Sequence, residues 1–130
     1  MIALDTNVLV RLLVRDDEAQ AQRARAAFDT HAEDGGLFVA DMVLVELCWT
    51  LARSCGLPRA DIARAVRALA DNASIALESP AAVKRALVGF EAGGVDFPDC
   101  LIVAKADIAG CARILSFDKR MAVLPGVELL

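Results

Sequence analysis

The sequence predicts an α/β fold: a short, mainly parallel sheet covered by helices on both faces. Three observations predict it. Short apolar runs of strand length alternate with longer segments whose apolar residues recur at i, i+3 and i+4. The short runs are apolar throughout, as strands buried on both faces are. Carboxylates stand where an apolar run gives way to a helix or turn, as at Asp5, Asp41 and Asp118. In open α/β sheets that edge is where ligands bind.

The chain opens with MIALDTNVLV, in which an apolar run stops at Asp5 and is followed by Thr6, Asn7 and the helical stripe Val8, Leu9, Leu12 and Leu13. This reads as strand, turn and helix, the helix ending near Asp16. Taken alone, Asp5 is a helix cap, assisted by Thr6 and Asn7. A second, alanine-rich helix is expected from Asp17 to His31, with Arg23 and Arg25 outward. His31, the single histidine, suits a helix C-terminus and has no second histidine with which to share a metal. The stretch AEDGG breaks that helix, and Leu37, Phe38 and Val39 form a second buried strand. Asp41 then caps a helix through MVLVELCWTLARSCG, with the stripe Val43, Leu44, Leu47, Cys48 and Leu51 and a stop at Gly56. Glu46, in its second turn between Val45 and Leu47, is expected at the edge of the core.

Leu57-Pro58 opens a helix to about Asp71, with Ile62, Val66 and Leu69 inward and Arg59, Arg64 and Arg67 outward. Residues 74–77 give a third strand, and Ser79-Pro80 starts a helix through Val83, Leu87 and Phe90 that ends at Gly93-Gly94. VDFPDCLIVAKADIAGC sets Asp96 and Asp99 around Pro98, ahead of an apolar helix that Gly110 terminates. Asp99 then lies in the first turn, directed at the ligand-binding edge. Residues 112–115 read as a fourth strand running into the turn Ser116-Phe117-Asp118, and residues 127–130 close the chain as an edge strand.

No linker, repeat or low-complexity tract interrupts the 130 residues, so a single domain is expected over 1–130. An apolar fraction of 57% leaves room for a partner-binding surface. Charged residues recur too often for a membrane-spanning helix, and Asp5 interrupts the first apolar run before it resembles a secretory signal, so a cytoplasmic protein is expected. Cys48, Cys55, Cys100 and Cys111 show no C-x-x-C spacing, which argues for reduced, mostly buried thiols and against a structural zinc site. Eighteen acidic against 14 basic residues give a net charge of −4, the wrong sign for holding nucleic acid by bulk electrostatics. Any such role must rest on local geometry or on bound cations.

LDTNVLV at the start, VLVELCW in the middle, and DFPDCLIVAKADIAG followed by ILSFDKR near the end resemble a PIN domain of the VapC toxin type, over essentially the whole chain. The resemblance implies a PIN-like three-layer α/β/α sandwich. It places the family's acidic cluster on Asp5, Glu46, Asp99 and Asp118, with Thr6 and Ser116 at the small hydroxyl positions and Asn7 in the opening motif. Asp96 is an additional acid whose rank against Asp99 and Asp118 stays open. Gathered carboxylates repel and favour protonation unless a cation joins them, and hard oxygen donors suit Mg²⁺ or Mn²⁺. The implied activity is a metal-dependent endoribonuclease, with Asp5 and Asp99 as direct ligands and Glu46 and Asp118 completing the shell or positioning the water. Arg11, Arg15, Lys119 and Arg120 are candidates for RNA phosphates, with solvated charges or partner contacts as the equal alternative. No aromatic stacking platform is legible, so base readout is not predicted. The implied partners are the RNA substrate, a VapB-type antitoxin that blocks the acidic site and a second copy in a homodimer, with no membrane.

Two rivals are weaker. A receiver-type phosphoacceptor needs paired acids after its first strand and a late isolated lysine, whereas Asp5 is single and followed by Thr6-Asn7. A haloacid-dehalogenase-type phosphatase needs Asp in place of Asn7 and Thr in place of Leu9. A catalytically idle PIN scaffold that only binds a partner is the remaining alternative.

Overall fold

The computed structural model describes residues 1–130, which divide into two compact units, Met1–Pro80 and Ala81–Leu130. In the first, β1 (Ile2–Ala3), β2 (Leu37–Val39) and β3 (Ile75–Leu77) form a parallel sheet in that order, Ile2 opposite Leu37 and Leu37 opposite Ile75. Because the strands are parallel, their carboxyl ends share one edge. Asp5, Asp41 and Glu78 all follow those ends within two residues.

Helices α1 (Thr6–Leu13), α2 (Glu18–His31), α3 (Asp41–Arg53) and α4 (Arg59–Asp71) connect the strands, with α1 against α2 and α3, and α3 against α4. The stripe of α3 behaves as its period requires: Leu44, Leu47, Cys48 and Leu51 are buried. The first helix stops at Leu13, short of Asp16, because Val14 turns extended and residues 14–17 form the bend into α2. Asp17 caps α2 by accepting from the Gln20 N–H. Asp41 is the first residue of α3 and not its cap; the cap position is Ala40.

The second unit holds most of α5 (Pro80–Ala92), α6 (Phe97–Ile108), β4 (Ile114–Ser116), a 3-10 helix (Lys119–Val123) and β5 (Val127–Leu129). Gly93 and Gly94, at φ 93° and 85°, take the left-handed backbone that ends α5 at little steric cost to a residue without Cβ. The last two strands pair parallel as a sheet of their own, Ile114 opposite Val127. Two boundaries differ from expectation. The fourth strand is shifted toward the C-terminus, since its ladder with β5 engages 114–116, and after the expected turn at 116–118 the chain forms a 3-10 helix not foreseen from the sequence. The α/β class and the parallel strand direction stand as predicted.

Phe97 is 1% exposed and meets Phe90 edge to face, with centroids 5.9 Å apart and an interplanar angle of 81°. Phe97→Ala is expected to lower the unfolding free energy by about 3–5 kcal/mol, through lost burial, the cavity and the ring contact. Urea denaturation measures it. All four cysteines are free, but only Cys48 and Cys100 are buried; Cys55 is half-buried and Cys111 exposed. Burial pushes the Cys48 thiol up to about 12, so it stays protonated and inert.

Candidate active site

Within Met1–Pro80, Asp5 occupies the cap position of α1, yet its side chain makes no capping hydrogen bond and is exposed at the carboxyl edge of β1. The capping role therefore does not account for this residue. Nor does Thr6 cap: it is the first residue of α1, 3% exposed, and its Oγ1 donates to Glu46 Oε1. That bond ties the first turn of α1 to the second turn of α3, bringing together two of the expected site residues. Glu46 itself is exposed rather than held in the core edge, because it falls on the face of α3 opposite the buried stripe. Asn7, next to Thr6 in the chain, is exposed.

The position of α3, and so of Glu46, depends on a network that sequence reasoning missed. The Ser79 hydroxyl donates to Asp41 Oδ2 at 2.8 Å, and the Asp41 N–H donates to Glu78 Oε1 at 2.9 Å. The start of α3 is thereby fastened to the segment leaving β3. Reading Asp41 as a cap found the residue and not its partners, which are 37 and 38 positions away.

Within Ala81–Leu130, Asp96 holds the cap position of α6 without a side-chain capping bond, and Asp99 lies in the first turn as expected. Burial raises the Asp99 carboxyl above its ordinary 3.8, and the negative charges of Asp118 and Asp96 raise it further, while Arg120 opposes them. Asp118 caps the 3-10 helix by accepting from the Arg120 N–H at 2.9 Å and meets the same residue's guanidinium at 3.3 Å. Those hydrogen bonds hold the Asp118 carboxyl below the usual range. The Ser116 Oγ accepts from the Asp118 N–H at 2.9 Å and so sets the turn that presents the carboxylate. Asp118 and Asp96 thus act on Asp99 electrostatically, with Arg120 as the local cation.

Arg120→Ala is expected to move both carboxyls upward: Asp118 toward 3.8 through loss of its donors, Asp99 further from it through loss of the opposing charge. A carboxyl-carbon NMR titration checks this, and an unmoved Asp118 would refute the cause. Because the Asp118 value is depressed in the fold, its contribution to stability exists above the unfolded pKa and is lost as pH falls through the folded one. Arg120→Ala shortens that range from the acid side.

Two of the other cationic candidates, Arg11 and Arg15, are engaged. Arg11 bonds Asp16 at 2.9 Å and also Gln20, and Arg15 meets Glu18 at 3.3 Å. Lys119, at the start of the 3-10 helix, is exposed. No group of three or more His, Cys, Asp or Glu side chains stands close enough to hold a metal ion by itself. The chemistry of the donors nevertheless fits a hard divalent cation: carboxylate oxygens only, with one of them, Asp99, destabilised as an anion by burial and by its like-charged neighbours.

No helix is long and apolar enough to cross a membrane. No curated protein matches the chain. The PIN domain family matches residues 2–127, nearly the full length and parts of both compact units. With its parallel α/β architecture and acids at the strand ends and helix starts, the chain belongs to the PIN domain family, a nuclease fold.

Proposed function

We propose that this PIN-domain protein is a Mg²⁺- or Mn²⁺-dependent endoribonuclease, the toxin of a VapC-type toxin–antitoxin pair. The observation that carries the reading is the setting of Asp99: burial first, then the charges of Asp118 and Asp96, raise its carboxyl, an arrangement that gains from a cation, in a chain of a nuclease family. Asp5 and Asp99 are assigned as direct ligands, with Glu46 and Asp118 completing the shell or positioning water and Asp96 in reserve. The cation, when bound, would polarise the phosphodiester and make water a better nucleophile.

The chain's own residues do the rest. Thr6 holds Glu46 by its hydroxyl, and Ser116 sets the turn that carries Asp118. Lys119 is available to a phosphate; Arg120 would reach one by leaving Asp118, and Arg11 and Arg15 by leaving Asp16 and Glu18. Exposed Val88, Ile102, Phe117 and Val123 offer apolar surface to a VapB-type antitoxin or a second copy. An RNA cleavage assay with and without EDTA tests the proposal. Metal-restored cleavage supports it, cleavage that survives EDTA refutes the metal, and no cleavage with any divalent ion supports the idle scaffold.

A further inference from the structure

The exposed face of α3 carries Met42, Glu46, Trp49 and Arg53. Their spacing of i, i+4, i+7 and i+11 lines them along one stripe, opposite the buried Leu44, Leu47, Cys48 and Leu51. Met42 is 83% and Trp49 55% exposed, an unusual place for an indole, which is mostly buried in folded proteins. The Arg53 guanidinium lies 5.4 Å from the centroid of the Trp49 ring, within cation–π reach. Trp49 follows Glu46 by three residues, so the ring and the carboxylate are neighbours on the helix surface, with Cβ atoms about 5–6 Å apart. Glu46 is in turn fastened to Thr6.

An aromatic ring beside a cation is the unit with which proteins grip single-stranded nucleic acid: a base stacks on the ring and the cation meets the backbone. We infer that Trp49 is a stacking platform for a base of the RNA strand next to the bond that is cut, with Arg53 at the adjoining phosphate and Met42 extending the apolar floor. The inference rests on the ribonuclease reading of the site that contains Glu46. Charge favours RNA over a second copy of the chain. A self-interface on this stripe would desolvate Glu46 and Arg53 in its centre, whereas a nucleotide gives the guanidinium a phosphate and the ring a π-face.

Trp49 is the only tryptophan and the chain has no tyrosine, so its fluorescence reports on this face alone. Poly(U), added with Ca²⁺ in place of Mg²⁺ to keep the strand whole, is expected to quench it, and Arg53→Gln to weaken the quenching. Trp49→Ala is expected to raise the KM for single-stranded RNA about tenfold with a smaller change in kcat, and Trp49→Phe to retain most of the affinity. Circular dichroism melts should show both variants folded, since the side chain is largely outside the core. Unchanged emission at poly(U) concentrations that saturate the anisotropy of a fluorescein-labelled oligouridylate would overturn the stacking platform and leave the ribonuclease reading standing. Absence of both binding and cleavage would overturn the two together. A blue shift that depends on protein concentration and ignores poly(U) would assign the face to a second copy and likewise overturn the inference.

Discussion

Asp99→Asn is expected to abolish RNA cleavage, by at least about a hundredfold, because on the proposed reading it removes a direct ligand, and even an outer partner of a metal site is worth ten- to hundredfold. The substitution is nearly isosteric, so the fold survives and the loss is chemical. In metal-free solution the same variant melts higher than wild type at neutral pH. The sign follows from the raised carboxyl: a group whose folded pKa lies above its unfolded value contributes stability while protonated and loses it as pH rises through the folded pKa. Asparagine never acquires that charge. The melting curves therefore converge below about 3.8, the ordinary value, and separate above it. Retained cleavage would transfer the ligand role to Asp96, the cap position of the helix whose first turn carries Asp99. A variant no more stable than wild type at neutral pH would show that neither burial nor repulsion from Asp118 and Asp96 penalises the Asp99 anion.

Mg²⁺ or Mn²⁺ at a hundred times its dissociation constant is expected to raise the melting temperature of wild type by about 10 °C, the equivalent of about 2.7 kcal/mol for a domain of this size. Asp5→Asn is expected to lose most of that shift and most of the cleavage. The expectation follows from the position of Asp5: it sits where a helix cap belongs, makes no capping bond, and leaves its carboxylate exposed at the strand end. An Asp that merely capped α1 would cost stability on substitution in the absence of metal and leave the metal-induced shift intact. Equal shifts in wild type and variant, measured by differential scanning fluorimetry, would therefore remove Asp5 from the ligand set.

Much of this arrangement is written in local pattern. The alternation of apolar runs with 3.6-period segments specifies the parallel α/β class. Asp17 before α2, Pro58 before α4, and Gly93-Gly94 after α5 mark helix ends through capping, fixed φ and left-handed backbone, all properties of single residues. Asp5 at the end of β1 and Asp99 in the first turn of α6 are legible for the same reason, since a strand end and a helix start are local events. The helix stop at Leu13 was misplaced because it depends on where α1 must turn to pack against α2.

What no local pattern contains is pairing between distant residues. Whether Thr6 caps its own helix or donates to Glu46, forty positions on, is decided by the packing of α1 against α3. That Asp41 is bound by Ser79 and Glu78 rather than capping α3 depends on β2 and β3 being neighbours in the sheet. The exposure of Glu46 and Trp49 on one stripe follows from which face of α3 the core claims, although the apolar residues around Glu46 suggest burial. The sequence by itself determined the fold class, the strand ends and the placing of acids beside them, because periodicity and backbone chemistry act over a few residues. Only the tertiary structure decided which hydroxyl, guanidinium or carboxylate each acid meets, because those contacts are made between elements far apart in the chain.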